Sequence, residues 1–277
     1  TNKRKTDFIP VLFHNMSHYD GHMIILELSK NKKFEFKNIL AKSEEDYVSF
    51  TFGKLRFLDS CRFTASSLDS FTSNLEPEDL KITRKYFPDN TELLAKKGIF
   101  PYEYFTSAAN YEETQLPPFE AFYSKLKLKN IEASEYEHAQ KVWKTFDCKN
   151  LGDYTDIYLK CDVFLLADAF EKFRNMCTNN YKIDPCHCYS SPGTTWDSGL
   201  KFTKAKLEYI RDPDMLLLFQ NGIRGGVSGV FGNRHVKATD TNKLLYIDRN
   251  NLYGEAMSQI LPVKHFEWVG EDVLKLL

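Results

Sequence analysis

A chain of 277 residues exceeds what one hydrophobic core usually fills, so one large domain plus part of another is expected. A hydrophobic share of 42% and an aromatic share of 14% exclude a disordered linker protein and fit a packed, enzyme-like interior. Basic residues number 37 and acidic residues 38, a formal charge of -1 that excludes a whole-molecule field for nucleic acid, so any polyanion must be held by local patches.

Three patches are candidates: Lys30, Lys32, Lys33 and Lys37, read as solvated surface; Lys201, Lys204, Lys206 and Arg211; and Arg224, Arg234, His235 and Lys237. The six cysteines show no framework spacing, and the sequence has neither a signal peptide nor a long apolar run, so a reducing interior and no membrane partner are expected. Cys186-His187-Cys188 has no CxxC pair to accompany it and reads as a loop rather than a zinc site.

Along the chain, "FIPVLFHN" (8–15) is a short apolar run that predicts a buried strand, and Ile24, Ile25 and Leu28 recur at helical spacing from Asp20 onward. "YVSFTFGKLRFLDS" predicts two strands joined by a tight turn at Gly53-Lys54, the second ending in Asp59. From 76 to 130, Pro77, Pro88, Pro101, Pro117 and Pro118 interrupt every pattern, which predicts short helices and loops. Ser134 and Glu137 stand at capping-box spacing ahead of a helix to about Phe146, and Asp153 is placed to cap a longer helix behind it. "DPCHCYSSPGTTWDSGLKF" reads as a turn-rich exit from the first domain. "GIRGGVSGVFGNRH" holds five glycines that let backbone approach a partner closely. "VKATDTNKLLYIDRNN" reads as strand, polar turn, strand and helical turn, with Asp248 closing the second strand at a sheet edge.

Three constellations carry chemistry. Tyr158 and Asp162 lie at i and i+4, so both leave one face of a helix, where an acid could hold a metal and a phenol orient a water; the same spacing is common on ordinary helices. "HNMSHYD" (14–20) places Asn15 after a strand and Asp20 at a helix start, where it either binds metal or caps the helix. The third is "YIDRNNLYGEAM", in which Tyr253 follows Asp248 by five residues.

Together, and in this order, these stretches resemble the family B DNA polymerases, in particular the protein-primed branch of Maverick/Polinton transposons and related viruses. "VLFHNMSHYDGHMIIL" is similar to the second exonuclease motif, "YLKCDVFLLADAFEKFR" to the third, and "YIDRNNLYGEAM" to polymerase motif A. "FLDSCRFTASSLDSF", "SSPGTTWDSGLKFT" and "DPDMLLLFQNGIRGGVSG" resemble stretches between exonuclease and polymerase core. The resemblance implies an α/β fold: an RNase H-like 3′-5′ exonuclease domain over 1–190, lacking its first motif, an inter-domain region with a template-binding loop over 191–235, and the start of the palm over 236–277. It implies that Asp20 and Asp162 are exonuclease metal ligands, that Tyr158 orients the water, and that Asn15 and Tyr19 hold the single-stranded 3′ end. Asp248 becomes a polymerase metal ligand, Asn251, Leu252 and Tyr253 face the incoming nucleotide, and Arg224, Gly225 and Gly226 contact the template strand. The implied cofactor is Mg²⁺, with Mn²⁺ as a substitute, in two-metal sites. The implied partners are primer-template DNA, deoxynucleoside triphosphates and a terminal priming protein, in the nucleus or a viral replication compartment.

Ile223, Asn251 and Gly254 depart from the family pattern, which has Tyr, Ser and Pro at these places. An Asp-x-Glu motif is not found in residues 1–7, and no second polymerase acid follows motif A, so the chain is expected to be a piece holding half of each of two sites and inactive in synthesis alone. The competing readings are a decayed, non-catalytic remnant that binds single-stranded nucleic acid, and a stand-alone nuclease; the latter leaves "DRNNLYG" unexplained.

Overall fold

The computed structural model describes residues 8–223, 225, 226, 229, 232 and 234–270. The first apolar run forms β1 (Ile9–Phe13), and the polar stretch after it passes through a 3-10 turn at Met16–His18 into α1 (Asp20–Ser29), which begins at the expected residue. Ile24, Ile25 and Leu28 pack against Met16, Phe50, Phe52 and Phe57, so the helical spacing does bury one face.

An unexpected strand, β2 (Phe36–Ser43), follows; its exposed lysines, Lys37, read above as solvated surface, and Lys42, suit the edge of a sheet. The expected hairpin is β3 (Asp46–Phe52) and β4 (Leu55–Asp59), turning at Gly53 with φ 58°, a region a Cβ disfavours. Strand order is β1-β4-β3-β2, with β1 parallel to β4 and the other pairs antiparallel. Phe13 lies opposite Asp59, so both parallel strands end together, at the edge where open α/β sheets bind ligands.

Beyond the sheet come α2 (Cys61–Thr64), α3 (Leu68–Thr72) and α4 (Lys81–Tyr86), then irregular chain with two 3-10 turns, as the prolines imply. Helix α5 (Ala133–Thr145) begins one notch before the expected capping box. Glu132 and Glu135 form it instead, the Glu132 N–H donating to Glu135 Oε2 at 2.7 Å. The long helix α6 (Leu151–Tyr181) is capped by Asn150, not Asp153. Asn150 Oδ1 accepts the Asp153 N–H (2.9 Å), and the Asp153 carboxylate reaches back to the Lys149 N–H (2.8 Å).

Helix α6 is the spine of this part of the molecule. Leu151 and Tyr154 pack with Ala139 and Val142 of α5, Cys161 and Leu165 with Leu80 and Leu94, and Phe170 with Leu58 and Phe63. Asp168 pins α4 by accepting the Ile82 N–H (2.7 Å), the Thr83 N–H (3.0 Å) and Thr83 Oγ1 (2.7 Å).

The stretch expected to be turn-rich is largely a helix, α7 (Ser191–Thr203). Pro192 sits in its first turn, where the missing N–H is harmless, and Ser191 Oγ donates to the Phe63 carbonyl, which fastens the helix start to the preceding core.

The chain divides into two compact units, Thr1–Phe202 and Thr203–Leu277. In the second, Asp212 caps α8 (Pro213–Gly222) by accepting the Asp214 (2.9 Å) and Met215 (3.3 Å) N–H groups and takes a third bond from Trp268 Nε1 (2.7 Å). Asn251 caps α9 (Leu252–Met257). The strands expected between 236 and 248 do not form among the described residues. Leu244, Leu245, Tyr246 and Ile247 are exposed and unpaired, because a strand needs a neighbour for its backbone groups and no segment among the described residues pairs with them.

Candidate active site

The joint ends of β1 and β4 build the first part of the site. Asp59, only 2% exposed, turns both carboxylate oxygens onto the loop after β1. Its Oδ1 accepts the N–H groups of Asn15 (2.9 Å) and Cys61 (3.0 Å), and its Oδ2 accepts Ser17 N–H (3.2 Å) and Ser17 Oγ (2.9 Å). Arg62 Nη2 donates to Ser17 Oγ (3.1 Å) and to Asp46 Oδ1 (2.5 Å). Asn15 is held at φ 66°, a left-handed conformation asparagine tolerates, while its side chain and that of Tyr19 stay exposed. Asp59 was legible only as an acid ending a strand; Ser17 and Arg62 carried no signal, because their roles arise from contacts between distant segments.

This brace has a measurable consequence. Asp59→Asn replaces an acceptor by an NH₂ group that faces N–H and O–H donors, and should remove about 3 kcal/mol of stability. Urea unfolding at pH 7 measures it, and a loss below about 1 kcal/mol would show that the brace is slack.

The second part of the site lies on α6, where Tyr158 and Asp162 occupy one face a turn apart, as expected. Tyr158 is 7% exposed, packs on Phe100 with centroids 4.8 Å apart, and shares a hydrogen bond with the Tyr102 hydroxyl. Gly98 makes room for the ring: a Cβ there would sit 2.8 Å from Tyr158 Cδ2. Burial first, then the Tyr102 bond and the Asp162 charge, push the Tyr158 phenol far above its ordinary pKa, so it stays protonated and can orient but not take a proton.

Among the described residues Asp162 Oδ1 is buried without a hydrogen-bond partner. Burial raises the Asp162 carboxyl above the ordinary aspartate value, and Lys97 and Tyr158 oppose that rise. Lys97 also lowers His14, behind the larger effect of burial and against the Asp59 charge, so one ammonium acts on both the β1 end and α6. His14 Nδ1 and Ser60 Oγ are 2.9 Å apart.

Asp20 opens α1 half-buried, with no hydrogen bond or ion pair among the described residues; Tyr19 holds the N-cap position without a side-chain cap bond, so Asp20 is not acting as a cap. Among the described residues no group of three or more His, Cys, Asp and Glu is placed to hold a metal ion.

A family model, DNA polymerase type B, organellar and viral, matches residues 1–275. The chain belongs to this family. No curated protein and no solved structure matches it significantly.

A type B DNA polymerase binds DNA and deoxynucleoside triphosphates and depends on divalent metals. Asp162 passes a first test of fit for such an ion: its buried, unpartnered oxygen and raised carboxyl are what a cation relieves. The sign for stability follows. The folded state binds the Asp162 proton more tightly than the unfolded state, so ionisation lowers stability as pH rises above about 4. Asp162→Asn should therefore resist urea better than the parent at pH 7 in EDTA, and the difference should vanish below about pH 4. Mg²⁺ should stabilise the parent and not the variant. A variant less stable than the parent in EDTA at pH 7 contradicts this account.

The residues of the second unit that the resemblance assigns to synthesis are placed differently. Asp248 is exposed in the unpaired segment, and Arg249 forms an ion pair with Glu255. Asn251, at φ 53°, accepts the Gly254 N–H (3.2 Å) on Oδ1, and a Cβ at Gly254 would lie 2.3 Å from Asn251 Nδ2. Two of the three departures from the expected pattern, Asn251 and Gly254, thus form one device: a proline at 254 would have no N–H for this cap. Leu252 and Tyr253 are exposed on α9, and a Cβ at Gly225 would lie 3.4 Å from the Tyr253 hydroxyl, so Gly225 and Tyr253 lie side by side. Gly226 uses φ 74°. Arg224 lies outside the described residues. Among the described residues no helix is long and apolar enough to cross a membrane.

Proposed function

We propose that this type B polymerase chain carries a 3′-5′ proofreading exonuclease, RNase H-like and spanning 1–190, joined through 191–235 to the start of a palm at 236–277. The observation that carries the reading is Asp162 Oδ1, buried and unpartnered beside the protonated phenol of Tyr158 on one face of α6. Asp162 and Asp20 hold Mg²⁺, or Mn²⁺ in its place. The ion supplies positive charge against the charge that develops on the phosphodiester in the transition state. Tyr158 donates a hydrogen bond that orients the attacking water, while Asn15 and Tyr19, presented by the Asp59 brace, hold the single-stranded 3′ end.

In the second unit, Asp248 serves synthesis, Asn251, Leu252 and Tyr253 contact the incoming nucleotide, and Arg224, Gly225 and Gly226 guide the template. The resemblance of the three motifs supports a protein of the protein-primed branch, one that replicates a Maverick/Polinton-type element or virus with a terminal priming protein, in the nucleus or a viral replication compartment. The test is to incubate a 5′-labelled single strand with the full-length protein and Mg²⁺. Stepwise shortening from the 3′ end is expected. A strand that is bound and left intact would instead identify a non-catalytic binding remnant.

A further inference from the structure

The turn between β2 and β3 reaches the segment after β1 at two places. His22 Nε2, in the first turn of α1, lies 3.1 Å from the Glu45 carbonyl oxygen, and the His22 and Tyr47 rings meet edge to face with centroids 5.0 Å apart. Gly21 lets α1 come this close: a Cβ there would sit 3.3 Å from the Met16 carbonyl oxygen and 3.6 Å from Tyr47 Cδ2. Asp46 opens β3 and is paired with Ser43 of β2, so its carboxylate stands on a fixed base.

From that base one chain of polar contacts runs to Asn15. Arg62 Nη2 carries two hydrogens and has two acceptors, Asp46 Oδ1 (2.5 Å) and Ser17 Oγ (3.1 Å). Ser17 Oγ passes its own hydrogen to Asp59 Oδ2 (2.9 Å), and Asp59 Oδ1 accepts the Asn15 N–H (2.9 Å). The ion pair is largely covered, with 23% of the Arg62 side chain and 16% of the Asp46 side chain exposed. Arg62 Nε has no hydrogen-bond partner among the described residues, so the hold of the guanidinium is concentrated in Nη2. That hold fixes which way Ser17 donates, because a hydroxyl that accepts from arginine turns its hydrogen elsewhere, here toward Asp59. Asn15 sits at φ 66° with no capping bond from its own side chain, and a left-handed residue persists only where its surroundings impose the conformation.

We propose that the Asp46–Arg62 pair is a positioning device. It sets the Ser17 hydroxyl, and through Asp59 the Asn15–Tyr19 loop, in the orientation that receives the 3′ end of the strand. Arg62 acts through Ser17 and touches neither the strand nor a metal ion. An ion pair that only tied α2 to β3 would need no hydroxyl between Arg62 and Asp59. The part given to Asn15 and Tyr19 rests on the exonuclease reading, whereas the ordering of the loop does not.

Two measurements on the full-length protein test it. The first is hydrogen exchange at the Asn15 and Ser17 amides. Arg62→Met keeps the aliphatic stem and removes Nη2, and it should speed exchange at both amides about tenfold while the Phe57 and Leu58 amides of β4 keep the parental rate. The second is steady-state shortening of a 5′-labelled single strand with Mg²⁺. Arg62→Met should raise KM about tenfold and leave kcat within about twofold of the parent, because the groups on α6 stay in place. Arg62→Lys, whose ammonium has donors for both acceptors, should restore most of both readouts. Asp46→Ala should reproduce Arg62→Met, and the double variant should be no worse than either. Equally faster exchange throughout β4 would make Arg62 an ordinary stabiliser and overturn the proposal. A raised KM with parental exchange at Asn15 and Ser17 would put Arg62 on the strand itself and overturn it too, as would additive losses in the double variant. A parent protein that never shortens the strand defeats the exonuclease reading alone; exchange at Asn15 and Ser17 then decides the ordering role, faster in Arg62→Met upholding it and parental overturning it.

Discussion

Asp162→Ala is expected to abolish Mg²⁺-dependent shortening of a 3′ end in the full-length protein, lowering the rate by about three orders of magnitude, whereas Tyr158→Phe lowers it roughly tenfold to a hundredfold. The difference follows from the environments of the two side chains. Asp162 offers a buried oxygen that no group among the described residues satisfies, so on the proposed reading its removal takes away a ligand and not a spare contact. Tyr158 is held protonated by burial and by Tyr102, so it can place a water through a hydrogen bond but cannot serve as the base. Its phenylalanine variant keeps the ring stack on Phe100 and loses only the hydroxyl contacts. A labelled single strand followed over time with each variant measures both effects. Parental shortening by Asp162→Ala would remove that residue from the site, and an equal collapse in both variants would make the phenol more than an orienting group.

The second large effect concerns Asp248. The polypeptide of residues 1–277 by itself should not extend a primer with any nucleotide, and in the full-length protein Asp248→Asn should reduce synthesis by about three orders of magnitude while leaving 3′ shortening near the parental rate. In-line displacement at phosphorus needs two cations about 3.5 to 4 Å apart in a site from which water is excluded. Asp248 is exposed, its segment pairs with no strand, and no metal-holding group of side chains forms around it among the described residues. The two proposed activities are expected to separate because Asp162 and Asp248 belong to different compact units. Primer extension by the 277-residue polypeptide, or undiminished synthesis by the full-length Asp248→Asn protein, would contradict the assignment.

The elements that could be read in advance are those whose signals are local. An apolar run followed by Ile24, Ile25 and Leu28 was enough for β1 and α1, and Gly53 between two alternating segments was enough for the β3-β4 hairpin. The i, i+4 spacing of Tyr158 and Asp162 placed them on one helical face whatever the helix packs against. Where several residues of one type compete for a local role, the reading slipped: Ser134 and Asp153 are plausible caps, but Glu132 and Asn150 hold the cap positions. The strands expected around Asp248 show the opposite limit. "LLYID" has strand composition, yet β-structure is completed only by a partner, and composition says nothing about whether one is alongside.

For this protein, sequence alone determined β1, α1 and the β3-β4 hairpin in the first half of the chain, the chemical types of its candidate acids, and the helical face shared by Tyr158 and Asp162. The tertiary structure alone decided how those groups behave. It brought Asp59 beneath the Asn15 loop through a parallel register, set the Tyr102 hydroxyl against Tyr158, and buried Asp162 Oδ1 without a hydrogen-bond partner among the described residues. Burial and the approach of charges from distant segments set hydrogen bonding and proton affinity, and neither is a property of any local stretch of residues.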